Sequence, residues 1–277
     1  MRGILWLASY PKSGNTWFRA FVANLRHGDH GPVDINSLPT PIATSRRVFD
    51  AVAGVESTEL TAEEIARFRP RVYRRLAEDS AETVFIKIHD AYTLLPDGEP
   101  LIPTDATAGA IYILRNPLDV AISFSQNYSK PVDRAIVTMA PREVVFQDDF
   151  PALQLDQRLL SWSQHVLSWI DQQAFPVHVV RYEDMQERPL ETFTAAARFC
   201  GLPCDPDHVR RALDYSSFEV LQKQEIEFGF KERLEGAASF FRQGKAGAWR
   251  EVLSPSQIAR IIGDHGTVME RFGYLPL

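Results

Sequence analysis

The chain has 277 residues, of which 45% are hydrophobic, 11% aromatic and 24% charged; this is the balance of a soluble globular protein, neither disordered nor fibrous. Thirty Lys+Arg against 36 Asp+Glu leave a formal charge of −6, which argues against a general affinity for nucleic acid or an anionic membrane but leaves room for a local basic pocket. Two cysteines, Cys200 and Cys204, exclude a disulfide framework, and a lone C-x-x-x-C is a poor zinc site.

The first apolar run, Ile4 to Ala8, is too short for a secretory leader, and no stretch approaches the roughly 20 apolar residues of a membrane span. The expectation is a cytoplasmic protein that needs no metal and partners neither membrane nor nucleic acid. Ile4–Ala8 reads as a buried strand, and Trp17, Phe18, Phe21, Val22 and Leu25 form the apolar face of a helix directly after it. Thr61-x-x-Glu64 is a capping box, and Pro70 is expected to break or kink the helix it starts. Further strands are predicted at 84–88, 110–114 and 177–180. A helix is predicted over 155–171, where Leu155, Leu159, Trp162, Val166 and Trp169 recur at steps of four and three. Ser254-Pro255 starts a last helix carrying Ile258, Ile261, Ile262, His265 and Met269. Alternating strands and helices predict an α/β fold with a parallel β-sheet flanked by helices, as a single domain over 1–277. Segments 28–60, 91–106, 130–150 and 224–248 show little pattern, as binding loops often do.

The first strand runs into Ser9-Tyr10-Pro11-Lys12-Ser13-Gly14-Asn15-Thr16-Trp17 and then the helix. Such a junction offers free backbone N–H groups and the positive end of the helix dipole to an anion. Gly14 permits close approach, Lys12 adds a charge, and Ser13 and Thr16 add hydroxyl donors. It is not a Walker A loop, because the lysine precedes the glycine and the upstream glycine is missing. Segment 9–17 resembles the 5′-phosphosulfate loop of sulfotransferases that use 3′-phosphoadenosine 5′-phosphosulfate (PAPS), a family with a P-loop-like sheet.

Other segments resemble that family in order. Arg115-Asn116-Pro117, followed by Asp119-Val120-Ala121 and Ser123, resembles its 3′-phosphate motif (115–123), which implies phosphate contacts for Arg115 and Ser123. Lys87-Ile88-His89 resembles its Lys-x-His, in which the histidine takes the acceptor proton and the lysine contacts the sulfuryl group. Asp90 is a second base candidate, since some branches use a carboxylate. Tyr182-Glu183-Asp184 resembles a nucleotide-contacting turn, and Ser216-Ser217-Phe218 an adenine-side segment in which Phe218 and Trp17 sandwich the ring. Segment 240–249, with Arg242, Gln243 and Gly244, resembles the segment that closes over the nucleotide. Gln243, Ala248 and Asn15 depart from the family's usual lysine, aspartate and threonine.

The resemblance implies metal-free transfer of a sulfuryl group to a hydroxyl, less readily an amine, of a small-molecule or natural-product acceptor, with 3′,5′-ADP as product. His89 is then the general base, Lys12 and Lys87 stabilise charge, and Ser123 restrains Lys12. Asn15, Thr16, Ser216 and Ser217 complete the nucleotide contacts. A P-loop kinase or nucleotidase and a non-catalytic nucleotide-binding protein are the alternatives. Phe49, Tyr92, Phe146, Phe150 and Phe240 are candidate acceptor walls. His27, His30, His165, His208 and His265 read as surface or helix-face residues and His178 as strand packing. Oligomeric state is not legible, a homodimer being one open option.

Overall fold

The computed structural model describes residues 2–140, 145–146, 153–234 and 236–276. The apolar runs become strands β1 (Ile4–Ser9), β2 (Val84–Ile88) and β3 (Thr107–Leu114), with β4 (Val145–Phe146), β5 (Gln157–Arg158) and β6 (Val177–Arg181) following. The main sheet has the order β2-β1-β3-β6, and β1 pairs in parallel with β2 from Ile4↔Val84 to Ala8↔Ile88. A place between two neighbours explains why every residue of β1 is buried. β4 and β5 form a separate antiparallel pair.

The helices are α1 (Asn15–His27), α2 (Arg46–Ala53), α3 (Ala62–Glu78), α4 (Pro117–Asn127), α5 (Val132–Met139), α6 (Trp162–Ile170), α7 (Tyr182–Glu187), α8 (Pro189–Phe199), α9 (Pro206–Tyr215), α10 (Phe218–Phe228), α11 (Trp249–Val252) and α12 (Pro255–Arg271). The chain forms two compact units, Met1–Tyr10 with Thr40–Tyr112 and Arg142–Val179, and Pro11–Pro39 with Ile113–Pro141 and Val180–Leu277. In the first unit the Trp6 indole donates to Thr107 Oγ1 at 2.9 Å and meets the Tyr73 ring edge-on at 5.0 Å. In the second, Phe193 packs against both Phe18 and Phe21 of α1, its ring centroid 4.4 Å from that of Phe21.

Two sequence expectations need correction. α3 runs unbroken through Pro70. Tertiary contacts hold it there: Arg69 is buried, with its guanidinium on both oxygens of Asp90 at 2.6 and 3.0 Å and its Nε on Tyr73. The helix predicted from 155 starts only at Trp162, capped by Ser161 with a Gln164 capping box. Leu160, at φ +59°, turns the chain before it, and Arg158 is drawn into β5 and onto Asp90 through its backbone N–H at 2.9 Å. The segments read as irregular also contain α2 and α5.

His165 and His265 are not on the surface: they are 0% and 2% exposed. Burial pulls each imidazole down to about 4. An unfolded chain takes these protons near pH 6.5 and the folded one does not. Their stabilising contribution is therefore complete above about pH 6.5 and is lost as pH falls towards 4. In urea titrations between those values, the wild type is expected to lose about 1.4 kcal/mol more per pH unit than a His165→Gln variant.

Candidate active site

β1 delivers the chain into a loop with two left-handed backbone positions. Lys12 has φ +68° and Gly14 φ +100°. α1 then begins at Asn15 with no side-chain hydrogen bond capping it, and the positive end of its dipole lies at this loop. A Cβ at Gly14 would lie 2.6 Å from the Tyr182 ring, so both the dihedral and the packing demand glycine. Ser13 Oγ and Trp17 Nε1 are buried with no hydrogen-bond partner in the protein. Thr16 and Asn15 are buried beside them. Buried donors left in this state cost about 1–3 kcal/mol each unless a ligand satisfies them.

The Lys12 ammonium donates to Asn127 Oδ1 at 2.8 Å and lies 4.1 Å from the centroid of the Phe240 ring. Asn127 sits on α4 one turn beyond Ser123, the residue expected to hold this lysine. Sequence reading gave Asn127 no role. At the start of α4, Asn116 accepts from Leu118 N–H at 3.0 Å and Pro117 occupies the first turn.

Arg115, at the end of β3, is buried and donates to two carbonyls, Lys12 O at 3.0 Å and Lys245 O at 3.2 Å. Its guanidinium lies over the Tyr182 ring at 4.2 Å, and its Nε has no partner. One cation thus ties the loop to segment 240–249. Side chains from three helices hold the same segment by its backbone. Glu225 accepts from Phe240 and Phe241 N–H at 2.7 and 2.8 Å, and Asp119 from Gly247 and Trp249 N–H at 2.7 and 3.1 Å. Gln186 accepts from Ala246 N–H at 2.8 Å and donates to Gly244 O. No sequence signal marked Gln186 or Glu225, because their partners are backbone groups, about 60 residues away for Gln186 and 15 and 16 for Glu225.

Gly244 has φ +60° and packs its Cα face on the Phe218 ring. Trp17 and Phe218 both rest on the cluster of Ala20, Ile35, Leu221, Phe230 and Phe241. Trp17 also meets the Tyr182 ring edge-on at 6.0 Å. Ser216 and Ser217, expected to contact nucleotide, have local partners. Ser216 is 0% exposed and donates to Ala212 O at 2.7 Å, and Ser217 caps α10. Arg242 and Gln243 are exposed. Glu183 accepts from Asn116 N–H and the Tyr274 hydroxyl, and burial pushes its carboxyl up.

In the first unit, Lys87 is 9% exposed on β2 opposite Leu7 of β1, and backbone bonds to Pro41 O and Ala43 N–H flank it. His89 follows the strand. Its Nδ1 lies 2.8 Å from the Ser9 carbonyl and 3.2 Å from the Ser9 hydroxyl. A carbonyl only accepts, so Nδ1 carries the hydrogen and the lone pair of the neutral ring is on Nε2. Asp90 is 0% exposed and fully engaged by Arg69 and the Arg158 N–H, so its carboxylate is a structural counter-ion. Of the candidate acceptor walls, Phe49 is a core residue against Phe68, and Tyr92 packs on Trp169 and Phe175. Phe240 covers Lys12 as described, while Phe150 and the Phe146 side chain lie outside the described residues.

Among the described residues no group of three or more His, Cys, Asp or Glu side chains could hold a metal ion, and no helix is long and apolar enough to cross a membrane. A family model described as "Sulfotransferase domain" matches residues 3–273. The chain belongs to the sulfotransferase family. This sulfotransferase is 26% identical to cytosolic sulfotransferase 17 of Arabidopsis thaliana, over 93% of its own length and 71% of the relative's. It is 25% identical to sulfotransferase 1A1 of Canis lupus familiaris, over 97% and 84%. Among solved structures it resembles mouse sulfotransferase SULT7A1 complexed with PAP (TM-score 0.61, 19% identity, 97% and 85% of the two chains). It also resembles retinol dehydratase in complex with androsterone and PAP (0.63, 18%, 97% and 81%). These likenesses establish the P-loop-like fold. The sulfotransferase is an enzyme that transfers a sulfuryl group from PAPS to a small-molecule acceptor.

Replacing Gly14 by alanine adds strain worth about 1–3 kcal/mol at a positive φ and pushes the new methyl into Tyr182. Gly14→Ala is expected to lower the melting temperature and to weaken 3′,5′-ADP at least tenfold in calorimetric titration. Unchanged affinity would show that the loop does not need this close approach.

Proposed function

We propose that the loop around Lys12 and Gly14 receives the 5′-phosphosulfate of the donor and that Arg115 receives the 3′-phosphate. The observation that carries this reading is the set of buried donors without partners, Ser13 Oγ, Trp17 Nε1 and Arg115 Nε, gathered at an uncapped helix N-terminus. These residues fit an anionic nucleotide, and PAPS supplies the sulfuryl group. The match over 3–273 supports reading the chain as one sulfotransferase domain, with loop 9–17, motif 115–123 and closing segment 240–249 as its working parts. Tyr182, Phe218 and Trp17 supply aromatic faces for the base. Arg242 and Gly244 belong to the closing segment, and so does Gln243 in place of a lysine. Ser216 and Ser217 act through the packing of α10 beneath Phe218.

His89 takes the acceptor proton on Nε2, with Nδ1 fixed by Ser9. The acceptor oxygen forms its bond to sulfur as the bond from sulfur to the phosphate oxygen breaks, in line. Lys12 meets the charge that grows on the departing oxygen, and Lys87 helps hold the sulfuryl oxygens. Asn127 restrains Lys12 beforehand, with Ser123 one turn away on the same helix. The acceptor is a hydroxyl-bearing small molecule of natural-product type. Relatives named flavonol 3-sulfotransferase, of Flaveria bidentis, and luciferin sulfotransferase, of Photinus pyralis, support that class. Relatives named cytosolic support a cytoplasmic enzyme. The family match disfavours the kinase and non-catalytic readings.

Titration with 3′,5′-ADP is expected to show metal-independent binding, tighter than 5′-AMP or Mg·ATP. Arg115→Ala is expected to weaken it roughly 10–100-fold, as loss of a charged hydrogen-bonding partner does. Preference for Mg·ATP would overturn the donor assignment. His89→Ala is expected to lower kcat by about 10²–10⁴ with 3′,5′-ADP affinity unchanged. Asp90 is expected not to rescue it, because Arg69 holds both of its oxygens.

A further inference from the structure

β1 and β2 stop pairing at Ala8↔Ile88. The carbonyls of His89 and Asp90 lie just past this ladder, in the buried interior, where a backbone acceptor needs a donor. One helix supplies two. His165 Nε2 lies 2.9 Å from His89 O, and the Trp169 indole donates to Asp90 O at 3.0 Å. The two side chains are four apart on α6 and so share a face.

The hydrogen positions in this chain follow from the partners. His89 O can only accept, so His165 carries its hydrogen on Nε2. Its Nδ1, 2.7 Å from Tyr112 Oη, is then the acceptor, and Tyr112 is the donor. Both residues are 0% exposed. Burial keeps the phenol protonated and the imidazole neutral, as this arrangement requires. The groups facing His165 are Tyr10, edge-on at 5.4 Å, Tyr112 and the Asp90 carboxylate. A directional chain therefore runs from the Tyr112 hydroxyl to His165, from His165 to the backbone of His89, and from the His89 ring to the Ser9 carbonyl.

We propose that His165, oriented by Tyr112, is a positioning residue for sulfuryl transfer: it fixes the backbone of His89 so that the ring keeps Nδ1–H on Ser9 and holds its lone pair on Nε2. The proposal rests on the reading of His89 as the general base. An apolar side chain would fill the same space but would take away the donor that His165 Nε2 presents to His89 O. The peptide would then rotate towards another partner and carry the ring off Ser9. Movements of about 1 Å at a reacting group cost on the order of 100-fold in rate.

The test compares His165→Phe with His165→Gln in the full-length enzyme; the glutamine amide can still donate near the Nε2 position. His165→Phe is expected to lower kcat roughly 10–100-fold, with the donor KM and the 3′,5′-ADP affinity within about twofold of wild type. His165→Gln is expected to recover most of kcat. Nitrogen-15 NMR of labelled histidine reads the His89 tautomer directly, and is expected to show Nδ1–H in wild type and His165→Gln but a mixture in His165→Phe. If His165→Phe does not fold, Tyr112→Phe, which removes one hydroxyl, is expected to move kcat and the tautomer in the same direction by less.

Unchanged kcat and tautomer in His165→Phe would overturn the proposal. So would equal loss of kcat in His165→Phe and His165→Gln with His89 still protonated on Nδ1, which marks a purely structural histidine. Full activity in His89→Asn would instead refute the general-base reading. The NMR comparison would still decide whether His165 sets the His89 ring.

Discussion

The Arg115 guanidinium is a cation whose nearest acceptors are backbone carbonyls, one in the loop after β1 and one in segment 240–249. A charged donor bound to neutral carbonyls in a buried place is electrostatically underpaid, since a carboxylate or phosphate there would gain far more. The donor assignment proposed above would place an anion against this cation. The bent loop, the uncapped start of α1 and the Tyr182 ring beneath the guanidinium all gather around the same unmet charge. A ligand bound there, as proposed, would complete hydrogen bonding that Ser13 Oγ, Trp17 Nε1 and Arg115 Nε lack within the protein.

The loop and the motifs were legible in the sequence because they are contiguous. Strand, loop and helix in 4–25 carry their own signals, in apolar periodicity, glycine and the lysine near it. Pro70 misled because its local cost is outweighed by the buried Arg69–Asp90 pair, which lies 21 residues apart in sequence and gives no periodic trace. The helix expected from 155 failed for a related reason. Leu155 and Leu159 are buried as the pattern requires, but through an extended segment tied to Asp90 rather than through a helix.

Histidines were the least legible residues. His89 was singled out by its place at a strand end, whereas His165 looked like one more polar residue on a helix face. The physical difference is a tertiary one, since its two ring nitrogens meet Tyr112 and the backbone of His89, 53 and 76 residues away in sequence. Asp90 shows the converse: the family resemblance made it a base candidate, while its neighbours in space, Arg69 and the Arg158 amide, engage its carboxylate.

Segment 240–249 is gripped by its peptide groups rather than by its side chains. Glu225, Gln186 and Asp119 bind amides or carbonyls that any residue other than proline would present equally well. Its outward positions are thus relieved of the duty of keeping the segment in place, and residues such as Gln243 and Ala248 can stand where the family commonly carries charge. Variation along this stretch can retune what the enzyme attracts to its surface, whereas the three anchoring side chains, all outside it in sequence, cannot drift without releasing the strap.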